Sequence, residues 1–267
     1  MWSSHYPSGS IDHLTNEGAV IKARETFLKN RPNNLDFLFR KRYEWMNKYT
    51  EGKMTVIDLG CGLGMSREFV HNPNLVLTDI NDYSWVDQKV DALNPPFKEG
   101  SVDVFICGHI VHHLAYPMIF FEKIHTMLKP GGYVVIQELE ISFMFKILLW
   151  LIKNEGWDEN AEVFNRLQKC TPNADDPWSA NCAIPHNLFS SSLQFEKEVP
   201  GLQVFRNELC ECLIFPLSGG VLAKVPMIPL PLFILRIIDT TDALLVFLFP
   251  GLFALGRRVV LKKKQTI

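Results

Sequence analysis

The sequence has almost no net charge. Its 27 lysines and arginines stand against 29 aspartates and glutamates, a formal balance of −2. A chain whose main partner is nucleic acid wants a basic surface, so that class is disfavoured. No CxxC pair is present either. The six cysteines, Cys61, Cys107, Cys170, Cys182, Cys210 and Cys212, are scattered along the chain. They read as reduced, mostly buried thiols of a reducing compartment. The opening MWSSHYPSGSIDH lacks the basic-then-apolar pattern of a secretory leader, so the expected location is cytoplasmic. No repeat and no low-complexity tract appears. No uncharged run is long enough to cross a membrane, which takes about 20 apolar residues. The one very apolar stretch, near the C-terminus, is cut by Lys224, Arg236, Asp239 and Asp242 and by Pro226, Pro229, Pro231 and Pro250.

The chain does have ample material for a core: 267 residues, 47% of them hydrophobic. Short apolar runs alternate with helix-spaced segments. "MTVIDLG", "NLVLTDI", "SVDVFICG" and "YVVIQELE" read as strands. "SREFVH" and "PMIFFEKIHTMLKPGG" read as the helices between them. That alternation predicts a parallel α/β sheet with helices on both faces, and near-continuously apolar strands fit burial on both sides. Residues from about Asn16 to Tyr49 read as helical, giving an N-terminal cap over 1–50 ahead of a domain over 51–267.

Three glycines, Gly60, Gly62 and Gly64, follow the first strand in "VIDLGCGLG". In an open α/β sheet, a bare turn at the carboxyl end of a strand lets a ligand approach the backbone N–H groups. The dinucleotide fingerprint GxGxxG fails here, because Met65 stands where its third glycine belongs. The pattern present is DxGxGxG from Asp58. It suits a cofactor without phosphates that carries an amino-acid tail: the carboxylate for an ammonium or ordered water, the loop N–H groups for a carboxylate. Asp79, ending the second strand, is placed to accept ribose hydroxyls. Asp91, before a Pro-Pro loop, can accept from an adenine amino group or simply cap its own turn.

The segments "VIDLGCGLG", "LTDI", "VDALNPPFKEGSVDVFICGHIVHHL" and "MLKPGGYVVIQE", in that order, resemble the class I S-adenosylmethionine-dependent methyltransferases. The resemblance spans about Met54–Glu138 and is strongest to the group with an HHL segment after the fourth strand, the type 11-like members. It implies a Rossmann-like seven-stranded sheet and S-adenosylmethionine as cofactor. It further implies that Asp58, Gly60, Cys61 and Gly62 hold the methionine part, Asp79 and Ile80 the ribose and the adenine face, and Asp91 and Ala92 the adenine amino edge. Gly108 and His109 would then line the methyl-donor end.

In-line displacement at a sulfonium asks mainly for alignment, with a base only for a poor nucleophile. His109, His112 and His113 of "GHIVHHL" are the base candidates. His109 and His112 are the catalytic choices, and His113 reads as a turn-capping residue. The HxxHH spacing has no carboxylate or cysteine beside it in the sequence, so no metal is expected. Glu138, ending the fifth strand, and His186, starting a later helix, are the candidate acceptor contacts.

Beyond the common domain, 141–190 reads as an acceptor-side insertion and 217–255 as an apolar helical hairpin. Its two helices would join at "DTTD", with Thr240 or Thr241 as the helix-start cap. Apolar faces beside Arg257, Arg258, Lys262, Lys263 and Lys264 suit peripheral contact of 217–264 with an anionic membrane surface. The expected activity is O-methylation of a small-molecule or lipid-linked acceptor. The rival is a catalytically silent, membrane-associated relative of the same fold, which has no need to keep DxGxGxG and Asp79 together. A nucleic-acid methyltransferase is disfavoured, because "LNPPF" precedes the fourth strand where an NPPY-like motif would follow it.

Overall fold

The computed structural model describes residues 3–7, 13–153, 155–221 and 227–265. Seven strands form one sheet: β1 (Val56–Leu59), β2 (Leu75–Asp79), β3 (Gln88–Lys89), β4 (Val102–Gly108), β5 (Leu128–Leu139), β6 (Leu202–Cys210) and β7 (Gly256–Lys263). Their spatial order is β3-β2-β1-β4-β5-β7-β6. The first five pair in parallel, whereas β7 runs antiparallel to both β5 and β6. The sheet is therefore mixed at one edge, while the four strands read as parallel from the sequence, β1, β2, β4 and β5, are so.

All four residues of β1 are buried, and Val104, Phe105, Ile106 and Cys107 of β4 are wholly so. Each such aliphatic or aromatic side chain contributes roughly 1.5–3 kcal/mol by leaving water. The strand order reverses between β1 and β4. A crevice opens there beyond their carboxyl ends, as in other open α/β sheets.

The predicted N-terminal helix is two: α1 (His13–Asn30) and α2 (Asn33–Tyr43). Pro32, which has no N–H to donate, and Arg31 at φ 40° separate them. Phe27 and Phe39 meet edge-on at 4.9 Å and pack with Leu63, Met65 and Phe69 of the glycine turn. The cap thus holds the loop. "SREFVH" yields only a single helical turn, α3 (Ser66–Phe69). α4 (Pro117–Met127) crosses between β4 and β5.

The insertion after β5 opens with α5 (Phe143–Ile152). Ser142 caps its start by accepting from the Phe145 N–H, and a left-handed Lys153 ends it. α6 (Ile184–Phe189) and α7 (Ser192–Glu198) lead to β6.

The C-terminal helices differ from expectation. One continuous helix, α8 (Leu232–Leu248), runs straight through "DTTD", and the short α9 (Pro250–Phe253) packs against α5. Thr240 and Thr241 do not cap. Their hydroxyls donate to the carbonyls of Arg236 and Ile237, the i−4 bonding open to threonine inside a helix. Asp242 is buried because it serves another element: it accepts the N–H groups of Cys212, Leu213 and Ile214. Asp239 pairs with Lys41 on α2. Part of the expected hairpin, residues 222–226, lies outside the described residues. No described helix is long and apolar enough to cross a membrane.

Candidate active site

Gly60, Gly62 and Gly64 all have positive φ, at 65°, 50° and 66°. Each has its own reason to be glycine. A Cβ at Gly60 would come within 2.5 Å of Ile110, and one at Gly64 within 2.6 Å of Trp85. A Cβ at Gly62 would enter open space, so this is the point where the loop presents bare backbone. The loop is pinned from behind. The Trp85 indole N–H donates to the Gly62 carbonyl at 2.8 Å, Arg24 of the cap donates to the Leu63 carbonyl, and the Cys61 N–H donates to the Thr78 carbonyl at 2.9 Å.

Two cavities meet at this loop. One, of about 360 Å³, is walled by Gly60 and Gly62 with Asp79, Ile80, Asp91 and Ala92. The other, of about 430 Å³, is walled by Gly60, Cys61, Gly62, Gly108, His112 and a set of apolar side chains from α5 and 215–221. His109, His113 and Trp178 border both. The structure thus brings together Gly60, Cys61, Gly62, Asp79, Ile80, Asp91, Ala92, Gly108 and His109, all expected from the sequence to hold the cofactor.

Asp58 stands apart from them. Its carboxyl is buried behind the loop, accepts from the Ser66 hydroxyl, and lines neither cavity. Burial first, and the nearby Asp79 carboxylate last, raise it to about 7 despite that hydrogen bond.

Asp79 Oδ1 accepts from the Asn81 N–H at 2.9 Å and from its side-chain amide at 3.3 Å, whereas Oδ2 accepts from the Gly62 N–H at 2.9 Å and keeps acceptor capacity for a ligand. Burial raises its pKa, and those hydrogen bonds offset the shift in part. Asp91 accepts from the Leu93 N–H, so it caps its own turn while bordering the cavity. Replacing Asp79 by Ala should weaken cofactor binding by about 1–3 kcal/mol through hydroxyls left unpaired. Calorimetric titration checks this, and unchanged affinity would remove Asp79 from ribose binding.

The histidines sit where β4 ends. His109 has φ 58° and is half-buried, but its Nε2 is shut off from solvent and has no partner. Such an orphaned buried nitrogen bordering two cavities awaits a hydrogen-bonding ligand. Burial, then the Arg42 charge, push its pKa well down, so the ring is neutral. His112 faces Glu138: Nδ1 lies 2.7 Å from Oε2. Glu138 also accepts the N–H groups of Val111 at 2.6 Å and Leu139 at 3.1 Å, so it acts as an acceptor throughout and His112 Nδ1 carries the proton. Burial lowers the His112 pKa, but the Glu138 charge and hydrogen bond outweigh it, and the net shift is upward. His113 donates from Nδ1 to the Ser179 carbonyl at 3.3 Å. Burial, then His112, lower its pKa to about 4.

Two expectations are corrected. Glu138 does not contact an acceptor: it is fully buried and orients His112. His186 lines neither cavity. Its Nδ1 lies 2.6 Å from Glu140, which in turn accepts from Arg257 at 2.7 Å, so the ring belongs to a structural network. The sequence reading missed Glu155, Tyr43 and Trp178 as wall residues. Glu155 and Trp178 come from the insertion, whose course no periodicity signals, and Tyr43 arrives from the cap.

A glycine-turn crevice at the switch point, an acidic residue ending β2 and a second cavity beyond β4 define the class I methyltransferase architecture. A methyltransferase-domain family matches residues 27–171, more than half of the chain, and the chain belongs to that family. S-adenosylmethionine is its cofactor, as the family and the glycine loop together require. The hybrid PKS-NRPS synthetase poxE of Penicillium oxalicum is 21% identical over an alignment 220 residues long that covers 65% of this chain. This chain spans only 5% of that synthetase's length. Among solved structures, a SAM-dependent methyltransferase from Archaeoglobus fulgidus is 19% identical, with a TM-score of 0.48, over 85% of this chain and 93% of its own. One from Methanosarcina mazei is 12% identical, with a TM-score of 0.47, over 84% of this chain and 99% of its own.

Proposed function

We propose that the protein O-methylates an acceptor with an extended apolar body, a lipid or lipid-linked glycan, presented at the cytoplasmic surface of a membrane. The observation that carries this reading is the second cavity. Its walls are apolar, with Leu139, Phe145, Leu148, Leu149 and Phe215, and its inner end is polar, with His109, His112, His113 and Glu155. An acceptor with one nucleophilic group on an apolar body fits that polarity. The apolar lining continues to the surface along Leu151 and Ile152 of α5, and Phe233, Ile237 and Phe247 of α8 are exposed as well. Patches of this kind mark contact surfaces. In this reading the exposed apolar side chains lie in the interfacial plane of the bilayer.

In this reading the cofactor supplies the electrophilic methyl group. Gly60, Cys61 and Gly62 serve its amino-acid part, with Asp58 behind the loop tying it to Ser66. Asp79 and Ile80 serve the ribose, Asp91 and Ala92 the adenine edge, and Gly108 the donor end. His109, with its unpartnered Nε2, and His112, fixed in tautomer and orientation by Glu138, act on the acceptor's nucleophilic atom. Trp178 closes over the junction of the two cavities, and the cap residues Arg42 and Tyr43 help exclude water. Alignment in this dry space accounts for most of the rate.

The test pairs two measurements. Wild-type protein should sediment with vesicles rich in anionic lipid and should methylate lipid-linked acceptors from labelled cofactor. A Phe233→Glu, Ile237→Glu, Phe247→Glu variant changes only exposed side chains. It should keep its thermal midpoint and lose vesicle binding. Retained sedimentation would refute the membrane reading, and turnover confined to small soluble acceptors would refute the lipid-linked one.

A further inference from the structure

The geometry points to a divalent metal site at the polar end of the acceptor cavity, built from His112, His113 and Glu155. This deepens the proposed function and rests on it, because it states how His112 would act on the acceptor. The HxxHH segment lacks a neighbouring carboxylate in the sequence. The fold supplies one, Glu155, from 43 positions beyond His112. One ligand atom from each of the three residues lies within 4.8 Å of the others, and all three line the same cavity. His112 Nε2 is 3.8 Å from Glu155 Oε2.

The surroundings are those a metal site needs. A ligating histidine nearly always donates its other ring N–H to a carboxylate or a backbone carbonyl, which fixes the tautomer and turns the lone pair to the metal. Both partners are here. His112 Nδ1 donates to Glu138, which is itself anchored by two backbone N–H groups. His113 Nδ1 donates to the Ser179 carbonyl. Each ring therefore keeps its lone pair on Nε2. The Glu155 carboxylate accepts from the Cys182 thiol at 3.3 Å. Cys182 is thus an outer partner of Glu155 and not a thiolate ligand.

Two imidazoles and one carboxylate suit a borderline divalent cation such as Zn²⁺, not the oxygen-only set of Mg²⁺ or Ca²⁺. Three protein ligands leave further coordination positions, and these face the acceptor cavity. The arrangement matches catalytic metal sites, which keep an open position, and not closed structural ones. It also gives His112 a role other than base: its Nε2 would hold the cation.

The experiment uses the full chain, stripped with chelator and dialysed. Zn²⁺ is titrated calorimetrically against wild type, Glu155→Gln, His113→Gln and His71→Gln, whose exposed side chain lines neither cavity and serves as the control. S-adenosylmethionine is titrated against the same four samples. Wild type and the His71 variant should bind one equivalent of Zn²⁺. The Glu155 and His113 variants should lose about tenfold or more in affinity, the scale on which metal sites respond to lost support, with unchanged thermal midpoints. Co²⁺ in place of Zn²⁺ should give visible d–d absorption that Glu155→Gln abolishes. Substoichiometric Zn²⁺ binding by wild type, or equal affinity in Glu155→Gln, overturns the site. If cofactor binding persists while Zn²⁺ fails, only the metal inference falls. If Zn²⁺ binds and the cofactor does not, the methyl-transfer reading falls instead.

Discussion

Glu211→Ala should destabilise the protein by about 3–5 kcal/mol, the cost of leaving one charge of a buried pair unmatched. Arg42 on α2 meets Glu211 through Nε at 3.0 Å and Nη2 at 2.7 Å, and both side chains are almost wholly removed from water. The pair clamps the N-terminal cap to the end of β6, beside the acceptor cavity. Burial by itself would raise the Glu211 pKa. The Arg42 charge and hydrogen bonds more than reverse this, so the group sits below the usual carboxylate range. Glu140 is lowered in the same way: His186 and Arg257 outweigh its burial.

For a carboxylate lowered by folding, the stabilisation is complete above its unfolded pKa and is lost as pH falls through the folded value. Acid unfolding of the wild type should therefore set in below about pH 4, and at higher pH in Glu211→Gln. Chemical denaturation followed across pH measures both effects. A Glu211→Ala midpoint equal to wild type would show that the cap does not depend on the pair.

The second large effect has the opposite sign. Asp58→Asn should stabilise the free protein by roughly 4 kcal/mol at pH 8, since a pKa near 7 stands about three units above the unfolded value at 1.36 kcal/mol each. A carboxyl raised by folding binds its proton more tightly in the native state. Its penalty is fully present above pH 7, shrinks as pH falls, and vanishes near the unfolded value of about 4. Wild type should accordingly gain stability on acidification from pH 8 to 5, and Asp58→Asn should show little change. Asparagine can still accept from the Ser66 hydroxyl, so the local bond survives. The same variant should change cofactor affinity little, because the Asp58 side chain lies behind the loop and lines neither cavity. Denaturation curves at pH 8 and pH 5, with a cofactor titration on each protein, decide the matter. Equal stability at both pH values would mean the Asp58 carboxyl is not held protonated.

The glycine loop and Asp79 were legible in the sequence for a local reason. A left-handed turn accepts little besides glycine, and the strand-end position of Asp79 follows from counting along one chain segment. Gly60, Gly62, Asp79, Ile80, Asp91 and Ala92 all lie within one short stretch after the first strand, so composition and spacing sufficed to place them. The strand pattern was legible likewise, because β1, β4 and the Val134–Ile136 part of β5 are largely buried and read as near-continuous apolar runs.

The sequence by itself determined the sheet, the loop that receives the cofactor and the presence of a histidine cluster after the fourth strand. Only the tertiary structure decided what those histidines face. Glu138 turned out to be the partner of His112, His186 belongs to Glu140 and Arg257, and Glu155 arrives from an insertion with no period to mark its course. The end of β6 binds α2 through Glu211, and "DTTD" lies inside a helix because Asp242 satisfies three N–H groups from another part of the chain. Hydrophobic period and turn chemistry are set by neighbours along the chain. The pairing of a buried charge is set by whatever the fold brings within about 3 Å, and sequence separation carries no information about that.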